Sequence, residues 1–156
     1  MPYANSRDVQ LHYEVRGHGV PLLLVRGTFA NLKWWSSSGY GQTLEATYRL
    51  ILIDVRGHGM SDKPHDPESY EIDRLVGDLV CVLDALDLKK DDYLGYSMGS
   101  WIGLAAAKYA PESFNSFILG EWHPYSDVPG HQPDPLRSFE NMVTRASSVG
   151  WRRSHC

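Results

Sequence analysis

The chain has 156 residues, a length that fits one domain with a sizeable core. It carries 15 Lys and Arg against 19 Asp and Glu, a formal charge of -4, which gives no basic surplus for nucleic acid or an anionic membrane. No apolar run reaches the length of a membrane span, and the start, MPYANSRDVQ, has neither the basic nor the apolar region of a secretory signal. The default compartment is cytoplasmic. The two cysteines, Cys81 and Cys156, show no CxxC spacing, so no zinc or redox signature is present, and no metal or cofactor is expected.

In chain order, Val9 to Val15 (VQLHYEV) alternates weakly and meets RGHG, which reads as a hairpin and a turn. Pro21 to Val25 (PLLLV) is a short continuous apolar run, suited to a strand buried on both faces of a parallel sheet. Trp34 to Thr47 is expected to be one helix. Leu50 to Asp54 (LILID) repeats the buried-strand pattern. From Glu71 to Leu88, Ile72, Leu75, Val76, Leu79, Val82, Leu83 and Leu86 recur at spacings of three and four, which predicts a helix with one apolar face. Tyr93 to Ser97 (YLGYS) is a further strand, and an Ala-rich helix is predicted from Met98 to Tyr109, ending before Pro111. Ser116 to Gly120 (SFILG) is the last strand-like run. Strands alternating with helices predict an α/β fold with a mostly parallel sheet and flanking helices.

After Glu121 the character changes. HPYSDVPGHQPDP carries four prolines and reads as a loop, and LRSFENMVTRASSVGW reads as one further helix. The expected organisation is a core over residues 1–125, followed by a proline-rich loop and the start of a cap region over 126–156.

Gly95-Tyr96-Ser97-Met98-Gly99 matches G-x-S-x-G between a strand and a helix. In that setting the pattern reads as a nucleophile elbow: glycines let the chain fold back tightly, and the serine hydroxyl projects above the sheet edge. The helix behind it presents N–H groups to a developing oxyanion. The alternative reading is a connection whose serine only caps the helix. Gly57-His58-Gly59 looks like part of a dinucleotide fingerprint, but Asp62 stands where the third glycine would be and Pro64 and Pro67 follow. A structural turn is the preferred reading there, with His58 not catalytic.

With these motifs in hand, the chain resembles the N-terminal part of an α/β-hydrolase. VRGTFAN (25–31) is similar to the loop after the family's third strand, DVRGHGMSD (54–62) to the loop after the fourth, and GYSMG to the elbow after the fifth. The resemblance runs from about residue 8 to about residue 125. It implies that Ser97 is the nucleophile, that the Met98 N–H is the first oxyanion donor and that the Thr28 N–H is the second. Where the family usually has His-Gly, this chain has Arg26-Gly27, so Arg26 is expected to pair with a carboxylate or to alter the charge preference for substrate.

A serine nucleophile needs a base and an acid that orients the base. The family places them after strands seven and eight, and no buried-strand pattern follows Gly120 in this sequence. The expectation is an incomplete α/β-hydrolase fold lacking strands 7 and 8. Glu121, directly after the sixth strand, is the candidate acid, with a surface carboxylate as its other reading. His123 is the candidate base, with a loop residue before Pro124 as its preferred other reading; His131, in the proline-rich loop, and His155, next to the C-terminus, are further candidates. His123, His131, Asp127 and Asp134 match no metal-ligand spacing.

The resemblance implies a serine hydrolase acting on a small ester, lactone or related carbonyl substrate through an acyl-enzyme. A serine at the elbow is not the carboxylate nucleophile of dehalogenase chemistry. Phe29, Trp34, Trp35 and Trp122 are candidate pocket walls or core residues. The alternative is a truncated or degenerate hydrolase domain without activity, acting as a binding module. A small-molecule substrate is expected, with neither nucleic acid nor membrane as partner. An exposed sheet edge at the last strand suggests a homo-oligomer.

Overall fold

The computed structural model describes residues 2–121. The proline-rich loop, the helix expected after it and the cap region over 126–156 lie outside the described residues, as does Trp122. The sheet has six strands in the order β1-β2-β4-β3-β5-β6. They are β1 (Tyr3–Ser6), β2 (Val9–Arg16), β3 (Val20–Val25), β4 (Tyr48–Ile53), β5 (Asp91–Tyr96) and β6 (Phe114–Gly120). β1 and β2 form an antiparallel hairpin, and β2 runs antiparallel to β4. β4, β3, β5 and β6 are all parallel. The mostly parallel α/β sheet expected from the sequence is what forms.

The apolar runs become strands because both faces of the sheet are covered. Leu23 and Val25 of β3 and Ile51 and Ile53 of β4 enter one core cluster. Their neighbours Leu22, Leu24, Leu50 and Leu52 enter a second cluster with Leu32 and Trp35. Alternate side chains on a strand point to opposite faces, so a two-sided core needs unbroken apolar runs. Each such side chain removed from water is worth about 1.5–3 kcal/mol.

The first cluster is roofed by α3 (Ile72–Ala85) and α4 (Met98–Tyr109). Both helices match their predicted spans closely, α4 at both ends. α3 buries Leu75, Val76, Leu79, Val82 and Leu83, and Asp73 lies in its first turn, where a carboxylate offsets the helix dipole. The predicted helix over Trp34 to Thr47 is instead two short ones, α1 (Trp34–Ser37) and α2 (Tyr40–Glu45). Gly39 stands between them at φ 84, a left-handed conformation that no helix continues through.

β6 pairs with β5 on one side, and no strand pairs with its other side among the described residues. Its Ile118 is 60% exposed. No described helix is long and apolar enough to cross a membrane.

Candidate active site

The parallel strands end together, and the loops leaving them carry the chemistry. Arg26 to Thr28 follow β3, Asp54 follows β4, Ser97 follows β5 and Glu121 follows β6. In open α/β sheets this carboxyl edge is where ligands bind.

Ser97 is the single residue between β5 and α4, and its backbone is at φ 55, ψ -117. A side chain at positive φ is strained and persists only where its surroundings over-determine it. Here they do. The Ser97 N–H donates to the Gly120 carbonyl at 2.8 Å, and the Ser97 carbonyl accepts from the Ser100 and Trp101 N–H groups at 2.8 and 3.2 Å. The buried Ser100 hydroxyl lies 2.9 Å from the Gly95 carbonyl and 2.7 Å from that of Gly120, tying β5, β6 and α4 together. The Tyr93 hydroxyl donates to the Gly99 carbonyl at 2.6 Å, and its burial pushes its pKa up, which keeps it a donor.

Two glycines make the turn sterically feasible. A Cβ on Gly99 would lie 2.1 Å from the Val25 carbonyl oxygen, so only glycine lets α4 dock this closely on β3. A Cβ on Gly27 would lie 2.8 Å from Ser97 Cβ and 3.2 Å from its Oγ. The loop after β3 therefore runs directly against the candidate nucleophile.

The two residues expected to donate to an oxyanion are brought together. Thr28 Oγ1 lies 3.5 Å from Met98 Sδ. Met98 opens α4, whose first N–H groups have no intrahelical acceptor and whose dipole favours negative charge. Ser97 itself is half-buried, between these two segments.

Arg26 departs from the first alternative read in the sequence. It forms no ion pair with a carboxylate among the described residues. Its guanidinium carbon instead lies 3.7 Å from the centre of the Trp34 ring and 4.3 Å from that of Tyr96. Trp34 stacks on Tyr96 and on Tyr40, at 5.5 and 6.0 Å between centroids. Trp34 is thus part of an aromatic cluster beside the elbow. Trp35 is 2% exposed and belongs to the core, and Phe29 is fully exposed, so neither forms a pocket wall in this structure.

Glu121, the candidate acid, is exposed at the end of β6 with φ 53. Its carboxylate accepts from the Tyr96 hydroxyl, and that bond is the main reason the Tyr96 pKa is raised. No histidine among the described residues hydrogen-bonds Ser97; His12 and His58 are held elsewhere. His123, His131 and His155 lie outside the described residues.

The loop of residues 54–62 is a structural turn built around a buried carboxylate. Asp54 accepts from the Leu32 N–H at 2.7 Å and the Met60 N–H at 3.0 Å, and its Oδ2 lies 3.0 Å from His12 Nδ1. His12 and Asp54 are 2% and 3% exposed. Arg56, also buried, makes a two-pronged ion pair with Asp78 of α3 and donates to the Ser69 carbonyl at 2.7 Å. Burial raises the Asp78 pKa and Arg56 opposes that shift. His58 Nδ1 lies 3.2 Å from the Arg56 carbonyl oxygen, so the histidine belongs to the turn. No local pattern marks His12 or Asp78, whose partners lie 42 and 22 positions away.

A strained serine on a strand–helix turn, flanked by a glycine loop and a helix N-terminus at the carboxyl edge of a parallel sheet, defines a hydrolase-type elbow. A family model described as the alpha/beta hydrolase fold matches residues 20–143, and the chain belongs to that family. It is 35% identical over 117 residues to 3-oxoadipate enol-lactonase 2 of Acinetobacter baylyi, covering 73% of this chain and 42% of the lactonase. It is 32% identical over 120 residues to epoxide hydrolase 4 of Mus musculus, covering 75% and 33% of the two chains. The crystal structure of a Bacillus megaterium epoxide hydrolase with its product superposes with a TM-score of 0.69 at 30% identity, covering 76% of this chain and 42% of that one. The chain thus spans less than half the length of these relatives.

Proposed function

We propose that this chain carries the nucleophile and oxyanion donors of a serine hydrolase acting on a small ester or lactone. The observation that carries the reading is Ser97, held at φ 55 between β5 and α4 with Gly27 packed against its side chain. In the proposed reaction Ser97 Oγ attacks the carbonyl carbon while a base takes the hydroxyl proton. The carbonyl oxygen becomes an oxyanion facing the Met98 and Thr28 N–H groups. Collapse of the tetrahedral intermediate breaks the C–O bond, and the leaving alkoxide takes the proton from the base. In a lactone the leaving group stays attached to the acyl chain. Water then attacks the acyl-enzyme, gives its proton to the same base and releases an acid and free Ser97. The base candidates in this chain are His123, His131 and His155.

The identity of the nucleophile favours esters and lactones over epoxides. A serine oxygen that opened an epoxide would form an ether, which water does not cleave under mild conditions. A serine acyl ester is cleaved readily. Similarity to a protein named an enol-lactonase is consistent with this preference.

The test is hydrolysis of p-nitrophenyl acetate and of a γ-lactone by the full chain and by Ser97→Ala. Turnover that disappears in Ser97→Ala supports the reading, and equal rates for the two proteins overturn it. Changing His123, His131 and His155 singly then identifies the base. The second reading, a binding module without activity, is favoured by the absence of a histidine on Ser97 among the described residues. It predicts ligand binding with no turnover dependent on Ser97.

A further inference from the structure

We infer that Arg26 is an anion-recognition residue beside the nucleophile, and that the ester or lactone substrate carries a carboxylate that this guanidinium binds. The substrate half of the inference rests on the hydrolase reading; the anion-binding half does not.

Arg26 follows the last residue of β3, Val25, which pairs with Gly95 of β5. Continuing this parallel register sets Arg26 beside Tyr96, the residue before Ser97. The guanidinium lies against the Tyr96 and Trp34 rings. Gly27, the next residue, packs on the Ser97 side chain. The cation therefore stands one residue from the reacting hydroxyl on both strands.

The cation is also incompletely satisfied. Its Nε is buried with no hydrogen-bond partner. Arg26 as a whole is half-buried and forms no ion pair among the described residues. Buried Arg56 is paired with Asp78, and half-buried Arg16 with Glu14. Glu121, on the same edge, bonds the Tyr96 hydroxyl and makes no ion pair with Arg26. The two aromatic rings hold the guanidinium plane in place and strip part of its hydration, while supplying no negative charge. A preoriented, partly dehydrated guanidinium without an ion-pair partner is the arrangement that binds a carboxylate through two parallel hydrogen bonds.

The test is an NMR titration of the full chain, following the Trp34 indole N–H, with monomethyl glutarate (an anion) and dimethyl glutarate (neutral). Ser97→Ala is titrated in parallel, so that binding is read without turnover. The monoester is expected to bind about tenfold or more tightly than the diester, as a charge-assisted hydrogen-bonded pair requires. Arg26→Gln is expected to remove that preference and Arg26→Lys to retain part of it. In case Arg26→Gln fails to fold, salt is the second measurement: raising it should weaken the monoester and leave the diester unchanged. Equal affinities, no binding of the monoester, a preference that survives in folded Arg26→Gln, or a salt-independent preference would each overturn the inference. If Ser97 takes no covalent label while the monoester binds selectively through Arg26, the hydrolase reading fails and the anion site stands. If Ser97 is labelled and the two esters bind equally, the anion site alone fails.

Discussion

Gly27 packs directly on Ser97: a methyl group at Gly27 would sit 2.8 Å from Ser97 Cβ and 3.2 Å from Oγ. The loop after β3 can therefore place a backbone donor beside the nucleophile only while residue 27 is glycine. Gly27→Ala should push the loop or the serine out of position. Loss of one oxyanion donor typically costs ~10²–10³ in rate, and a loss in that range is expected for Ser97 acylation, measured as the rate of covalent labelling. A folded Gly27→Ala protein labelled at the wild-type rate would show that the contact has no catalytic consequence.

Gly99 tests the docking of α4 rather than the chemistry. A Cβ there would meet the Val25 carbonyl at 2.1 Å, and both groups are backbone-bound and cannot swing away. Gly99→Ala should lower stability by about 1–3 kcal/mol, the usual cost of overpacking, read as a shift of the urea midpoint. An unchanged midpoint would mean that α4 does not sit this close to β3.

His12 and Asp54 hold the turn after β4 against β2. Asp54 keeps its two backbone donors when His12 is removed, but the carboxylate loses the imidazole. His12→Ala should destabilise the fold by about 1–3 kcal/mol. The same substitution should leave the anion preference ascribed to Arg26 unchanged, since His12 lies two strands from β3 on the other side of β4. Chemical denaturation and the glutarate titration read the two effects separately.

Asp91, at the opposite end of β5 from Ser97, sets a pH dependence. Burial pushes its pKa up to about 7, and its Oδ2 is buried without a hydrogen-bond partner. The folded chain therefore holds the proton more tightly than the unfolded chain, whose carboxylates ionise near pH 4. The stability contribution of this proton is fully present below pH ~4 and is lost as pH rises toward 7. Asp91→Asn should match wild type near pH 4 and become the more stable protein by pH 8. The gap is bounded at about 4 kcal/mol by the linkage relation. A stability difference that does not change with pH would place Asp91 in water.

The sequence was most legible where one face or one spacing decides the structure. The short apolar runs in β3 and β4 suit strands buried on both sides, and the three- and four-residue spacing in α3 puts its apolar residues on one helix face. The strand–turn–helix around Ser97 was legible because its signal is local, five residues between a strand and a helix. The helix expected over Trp34 to Thr47 failed at Gly39, whose positive φ is a backbone choice that an apolar pattern does not record. β1 has four residues, too few for its alternation to stand out from chance. The surroundings of Arg26 were invisible for a different reason. Its two stacking partners are Trp34 and Tyr96, and only the parallel pairing of β3 with β5 brings Tyr96 beside it. The same holds for the His12–Asp54 pair, which the antiparallel contact of β2 with β4 creates.

The central claim is that Ser97 is a nucleophile. Intact-mass and peptide-mapping mass spectrometry of the full chain after treatment with a fluorophosphonate measures it most directly. The expected result is one adduct per chain, mapped to Ser97 and absent from Ser97→Ala. A folded chain that takes up no adduct, or takes it up at another residue, would contradict it.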